Sequence, residues 1–154
     1  MKFYLVFFLL IILQGCGFQK VDRSIYNSFD VSEISMSGEK RINYKLKNEL
    51  IFSSTKNNQN LLKIDISTTK NKKVKDKNIK NEITNYTISV TARVKATLLN
   101  TKSDFSFTVS TSEDYKVEEK YLNTINNEKK TMDTLIVNLA DNILEELRAR
   151  LSDL

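Results

Sequence analysis

Cys16 is the only cysteine among 154 residues, and its thiol is the one soft nucleophile the chain carries. It closes the string Leu13-Gln14-Gly15-Cys16, which looks like a lipobox. In such a string the sulfur is alkylated by diacylglycerol, the chain is cut before the cysteine, and an acylated residue becomes the new first residue. What precedes Cys16 fits that chemistry: Lys2 is basic, Phe3 to Leu13 is an apolar run, and Gly15 is small. The run falls short of the roughly 20 apolar residues needed to cross a bilayer, so it reads as a secretion signal. Each acyl CH₂ buried in lipid contributes ~0.8 kcal/mol, so several chains of the palmitate class would anchor firmly. Gly17 stands where an aspartate commonly marks retention at the inner membrane. The expectation is therefore a lipoprotein of a Gram-negative bacterium, held at the periplasmic side of the outer membrane by lipid on Cys16.

The other side chains restrict the chemistry. There is no histidine, and Cys16 is spent on the anchor, so the commonest general base and the soft metal ligands are both missing. Three glycines, two of them flanking Cys16, leave no phosphate-cradling loop. Clustered acids such as Glu118-Glu119 and Glu145-Glu146 invite comparison with a glycosidase pair. Sequence neighbours on a helix point in different directions, so Glu145-Glu146 reads as a solvated face. No catalytic residue, metal or cofactor is expected.

Basic residues offer binding rather than catalysis. The formal net charge is +5, and loss of Lys2 with the signal lowers it by one. Lys70 to Asn81 carries Lys70, Lys72, Lys73, Lys75, Lys77 and Lys80 with Asp76 as its one acid, a composition that predicts a long, mobile hairpin loop. It reads either as a solvated run or as a patch drawn to phosphorylated glycolipid or an acidic partner. The run lacks the interleaved aromatics that base stacking requires, so no nucleic-acid partner is expected. Arg93, Lys95, Lys129 and Lys130 read as ordinary surface charge or as candidates for charge-assisted hydrogen bonds to lipid phosphate.

The elements that must position these groups are legible from periodicity. Residues 1–15 are the signal, 16–30 a lipidated tether, and 31–154 a single domain. Val31 to Met36 reads as a strand ended by Ser37-Gly38. Ile42, Leu46 and Leu50 draw one stripe on a helix over Glu39 to Ser53. Leu62, Ile64 and Ile66 alternate with polar residues as a strand. The clearest alternation runs from Tyr86 to Leu98, with Ile88, Val90, Ala92, Val94 and Ala96 on one face and Thr87, Ser89, Thr91, Arg93 and Lys95 on the other. Phe105, Phe107 and Val109 form its antiparallel partner. Ser112 to Ile125 carries no clear pattern. A last helix is expected from about Asn127 to Leu151, capped by Asn126 or Asn127, with Glu128 near the positive end of its dipole. Its stripe is Met132, Leu135, Ile136, Leu139, Ile143, Leu147 and Leu151. The expected class is α+β: a four-stranded, mostly antiparallel sheet packed on one face by two helices, in the order β-α-β-β-β-α.

That order, Gly15-Cys16-Gly17-Phe18, the string Tyr86-Thr87-Ile88-Ser89-Val90-Thr91-Ala92-Arg93-Val94, and Leu135 to Leu151 together resemble the lipopolysaccharide-assembly lipoprotein family, LptE. Gln19-Lys20 stands where that family often has a Pro-Leu-Tyr run. The resemblance implies a non-enzymatic outer-membrane lipoprotein that plugs and assists assembly of the LptD β-barrel and takes part in lipopolysaccharide transport to the cell surface. Its partners would be the LptD-type barrel, lipopolysaccharide, and the membrane through the lipid anchor. A Ser/Thr-rich sheet face suits a polar barrel lumen. Two other classes remain open: an auxiliary lipoprotein of another envelope lipid-transport or cell-wall system that binds a periplasmic partner, and a small carboxylate-dependent hydrolase.

Overall fold

The computed structural model describes residues 29–52 and 61–152. The chain runs β1 (Asp30–Gly38), α1 (Lys40–Phe52), β2 (Leu61–Lys77), β3 (Ile83–Leu98), β4 (Ser103–Lys116) and α2 (Tyr121–Ser152). The four strands form one sheet in the order β1-β2-β3-β4. β1 and β2 are parallel, which requires a crossover, and α1 provides it. The β2–β3 and β3–β4 pairs are antiparallel. The expected order of elements and the α+β class are as found.

Alternation along the strands decides which face is buried. Leu62, Ile64 and Ile66 of β2, Ile88 to Leu98 at every second residue of β3, and Phe107 and Val109 of β4 turn toward the helices and are buried. Against them α1 packs Ile42, Leu46 and Leu50, and α2 packs Leu135, Leu139, Ile143 and Leu147, all nearly inaccessible to water. Met132 and Leu151 extend the α2 stripe at its two ends as partly buried neighbours of this core. Phe29, just before β1, is buried in the same cluster.

The turn from β1 into α1 depends on two residues. Gly38 has φ +97°, and a Cβ there would stand 2.0 Å from the carbonyl oxygen of Thr68 on the paired strand. Only glycine suits both the conformation and the contact. Thr68 is the one buried polar residue among those described. Its hydroxyl accepts the Glu39 N–H at 3.2 Å and donates to Asn43 Oδ1 at 2.6 Å. Glu39 is the cap of α1, since its carbonyl accepts the Asn43 N–H at 2.9 Å. Thr68, the next core-facing residue after Ile66 on β2, thus fastens the helix start to the sheet.

Two expectations are corrected here. Lys70 to Lys77 is not a loop but the second half of β2, paired through Lys70↔Val90, Lys72↔Ile88 and Lys73↔Thr87. The connection is only the turn at 78–82, where Asn78 Oδ1 accepts the N–H groups of Lys80 and Glu82 at 2.9 and 3.0 Å, and Asn81 takes φ 61°. Lysine stems lie along a sheet surface as well as any apolar chain, and the pairing with β3 satisfies their backbone. The last helix begins at Tyr121, not Asn127. The Lys120 carbonyl accepts the N–H groups of Asn123 and Thr124, and Thr124 Oγ1 exchanges hydrogen bonds with the Glu118 backbone. Asn126 and Asn127 lie inside the helix, and Asn127 Nδ2 instead donates to the Lys116 carbonyl at 3.2 Å. The exposed Tyr121 and Leu122 add nothing to the apolar stripe, so periodicity could not reveal the first turns. β4 also extends to Lys116 and the helix starts at Tyr121, so the unpatterned stretch 112–125 divides into the end of a strand, a short connection and the start of a helix.

Candidate functional site

The face of the sheet away from the helices is built from every other residue of four strands and is dominated by hydroxyls. Ser35 and Ser37 of β1, Asp65 and Ser67 of β2, and Ser106 and Thr108 of β4 surround Arg93 and Lys95 of β3 in an open depression of about 620 Å³. Thr91 and Ser110 share a hydrogen bond at 3.0 Å farther along this face. Arg93 lies between Ser67 and Thr108 in the strand register, so its cross-strand neighbours are uncharged hydroxyls. Lys95 is differently placed. Its ammonium is 2.9 Å from Asp104, and Asp65 is its partner across β2. The hydrogen bond and charge of Asp104 hold the Lys95 ammonium above its ordinary pKa, while Lys95 and Thr97 hold Asp104 below the usual carboxylate value.

Lys129 and Lys130 are on the other side of the sheet. Both are exposed on α2, and Lys129 lines a cleft of about 730 Å³ between the starts of α1 and α2. The cleft has an apolar floor that includes Ile42, Met132 and Ile136, and basic groups from Lys40, Arg41, Lys45 and Lys70. Acids balance part of this charge, since Lys45 is paired with Asp133. The four basic residues singled out in the sequence therefore fall into two groups separated by the sheet. Arg93 and Lys95 share a surface, and Lys129 and Lys130 share another.

A third cluster had no signal in the sequence beyond the bare lysine run. Glu128 projects from the second turn of α2 onto the inner surface of the long hairpin. Its two oxygens lie 3.1 Å from Lys70 Nζ and 2.9 Å from Lys72 Nζ, and Tyr115 Oη donates to it at 3.0 Å. Lys72 also lies over the rings of Tyr86 and Tyr115, at 4.3 and 5.1 Å from their centroids, and the two rings stack at 5.6 Å. Burial works against the Glu128 charge, but Lys72, Lys70 and Tyr115 outweigh it and hold the carboxyl down at about 2. Burial likewise opposes the Lys72 charge, and the bonds to Tyr115 and Glu128 override it and raise the ammonium's pKa. Burial pushes the Tyr115 hydroxyl up. A carboxylate fixed in its ionised form by two ammonium groups has no proton to exchange near neutrality. The cluster is a latch between helix and hairpin.

The acidic pairs do not converge. Glu145 and Glu146 are exposed on α2, and Glu146 pairs with Arg150 one turn on. Glu118 pairs with Lys116, and Glu119 is exposed. Among the described residues no group of three acids could hold a metal ion, and no helix is long and apolar enough to cross a membrane. Cys16 and the signal and tether around it lie outside the described residues.

No family model matches the chain, and no curated protein matches it in sequence. Solved structures do match. Rare lipoprotein B from Shewanella oneidensis superposes with a TM-score of 0.62 at 12% identity, covering 79% of this chain and 97% of that one. This is a fold found in bacterial lipoproteins. Lipoprotein B from Nitrosomonas europaea gives a TM-score of 0.61 at 9% identity over 82% of this chain and 86% of that one. A minor lipoprotein from Acinetobacter baumannii gives 0.56 at 14% identity over 81% and 92%. Such low identities transfer the architecture and none of the residue roles.

Proposed function

We propose that the chain is lipidated on Cys16, lies at the periplasmic side of the outer membrane, and acts without catalysis as the plug and assembly partner of an LptD-type β-barrel in lipopolysaccharide transport. The observation that carries this reading is the sheet face that no helix covers among the described residues. A sheet that leaves one surface bare and furnishes it with serine, threonine and a few paired charges is suited to a polar, water-lined wall, and the lumen of a large barrel is such a wall. The shared fold with bacterial lipoproteins and the lipobox at Cys16 support the location. The resemblance of the Tyr86–Val94 strand and the final helix to LptE supports the partner.

Within this reading Arg93 is the preferred contact for a lipid phosphate, because hydroxyls rather than carboxylates flank it and its guanidinium can bind two phosphate oxygens at once. Lys95 contributes less, since Asp104 already holds its ammonium. Lys129 and Lys130 would serve a separate contact across the sheet.

The test is recovery of tagged, lipidated protein from envelopes in mild detergent, with its partners identified by mass. A stoichiometric outer-membrane barrel is the expected result. Recovery of inner-membrane transport or cell-wall components alone would replace this reading with that of an auxiliary lipoprotein acting on a periplasmic partner.

A further inference from the structure

α1 and α2 part at their starts. Lys45 of α1 meets Asp133 of α2, and the two helices bound the cleft of about 730 Å³ that Lys129 lines. On α2, Ile125, Lys129, Met132 and Ile136 recur at helical spacing and share one stripe, so a lysine stands in the middle of an otherwise apolar row. Ile42 and Ile136 are buried at the floor, whereas Ile125 is 39% and Tyr44 72% exposed. Apolar surface therefore stays wet where the cleft opens. The charges that line it do not balance. Lys45 is taken by Asp133 and Lys70 by Glu128. Lys40, Arg41 and Lys129 make no ion pair among the described residues, and of the lining acids only Glu39 is left to face them. Three cations against one carboxylate set a positive field over an apolar floor.

We infer that this cleft binds one acyl chain of a lipid with an anionic head, the chain lying on Ile42, Met132 and Ile136 and the phosphate or carboxylate meeting Lys40, Arg41 and Lys129. Size and charge each restrict the occupant. The volume is that of a small-molecule site, enough for a single chain, whereas a helical peptide docks through anchors spread over two or more turns. An apolar floor alone would accept a neutral chain. The unbalanced cations select a charged head, and the Arg41 guanidinium can hold two of its oxygens at once. The inference stands apart from the barrel reading, because the cleft is walled by two helices across the sheet from Arg93, whichever envelope protein the bare sheet face meets.

The test uses the full lipidated chain in nanodiscs of phosphatidylcholine and photoactivatable probes of about twelve carbons with a diazirine at the chain end. The probes differ only in the head: phosphate, carboxylate or neutral glucose. Labelled residues are read by peptide mass. The expected result is label on Tyr44, Ile125 or Met132 from an anionic probe, about tenfold above that from the glucoside, and the stronger of phosphate and carboxylate identifies the head. The double variant Arg41→Glu/Lys129→Glu should lower that label about tenfold at the parent's thermal midpoint. Lys47→Glu/Lys102→Glu, the same change of charge outside the cleft, should leave it within about twofold. Absence of label in the cleft would overturn the inference, as would equal label from the glucoside or equal loss in the two double variants. If Tyr44 and Met132 then resist hydroxyl-radical oxidation without any probe, the cleft is already filled: by a second copy where the mass is a dimer's, and by the chain's own remaining residues where it is a monomer's.

Discussion

Replacing Glu128 by glutamine tests whether the latch between α2 and the lysine-rich hairpin stabilises the fold through charge. Glutamine keeps the size and one acceptor for Tyr115 but leaves Lys70 and Lys72 facing each other without a counter-charge. The Glu128 carboxyl is held at about 2 against an ordinary value of 4.5. At ~1.4 kcal/mol per pKa unit, the full linkage is roughly 3 kcal/mol. Lys70 and Lys72 keep 30% and 36% of their side-chain surface in water, so solvent screens the pair. A figure of about 1–2 kcal/mol is the better expectation. The sign follows from a carboxyl whose pKa is depressed on folding. Its contribution is fully present above the unfolded value of about 4.5, is lost as the pH falls, and is nearly gone at about 2. Urea unfolding of parent and variant should therefore show a gap of about 1–2 kcal/mol near neutrality that closes with acid between those values. Glu33, Asp104 and Asp114 also have lowered pKa values, but they lose their contributions equally in both proteins, so the difference isolates Glu128. A gap independent of pH, or one that widens in acid, would refute the electrostatic account and leave only packing.

Gly38→Ala should destabilise by at least about 2 kcal/mol in chemical denaturation, because the added Cβ meets the Thr68 carbonyl and φ is positive. Thr68→Val, nearly the same shape, should cost about 1–3 kcal/mol by orphaning the Glu39 N–H and Asn43. Protection of the first amides of α1 in hydrogen exchange should fall with it. Arg93→Ala should leave the thermal midpoint within ~1–2 °C, as expected for an exposed surface change. It should still reduce lipopolysaccharide retention on immobilised protein, and unchanged retention would remove Arg93 from the proposed contact. Cys16→Ser should abolish fatty-acyl labelling of the protein, and persistent labelling would remove Cys16 as the lipid site.

Most of the fold was legible because its core is written in two clean periods. Ile88 to Leu98 alternates without exception, and Ile42, Leu46 and Leu50 keep a four-residue step, so strand and helix follow from which faces can be buried. The misreadings share one cause. The second half of β2 and the first turns of α2 bury little, and a segment that buries little leaves no periodic trace. β2 continues past Thr68 because β3 offers a paired backbone and because the rings of Tyr86 and Tyr115 lie under the Lys72 ammonium. Composition alone reports the cost of six lysines and says nothing of the aromatic rings and the glutamate that offset it.

Legibility of the candidate site divides along the same line. Arg93 and Lys95 could be placed together because strand parity puts residues two apart on one face, and the adjacent strands then supply Ser67 and Thr108 by register. The apolar stripe of α2 must cover the β3 face that Arg93 turns away from, so the expected fold also puts Lys129 and Lys130 across the sheet from Arg93; the cleft with α1 that Lys129 lines has no periodic signal. Glu128 was harder still, being 58 residues from Lys70 and 56 from Lys72. A lipid phosphate at Arg93 and one at Lys129 would therefore be bound on opposite sides of a packed sheet, and no single headgroup can bridge them. If both surfaces take part in transport they must do so as separate contacts, which makes the effects of Arg93→Ala and Lys129→Ala on lipid retention additive rather than coupled.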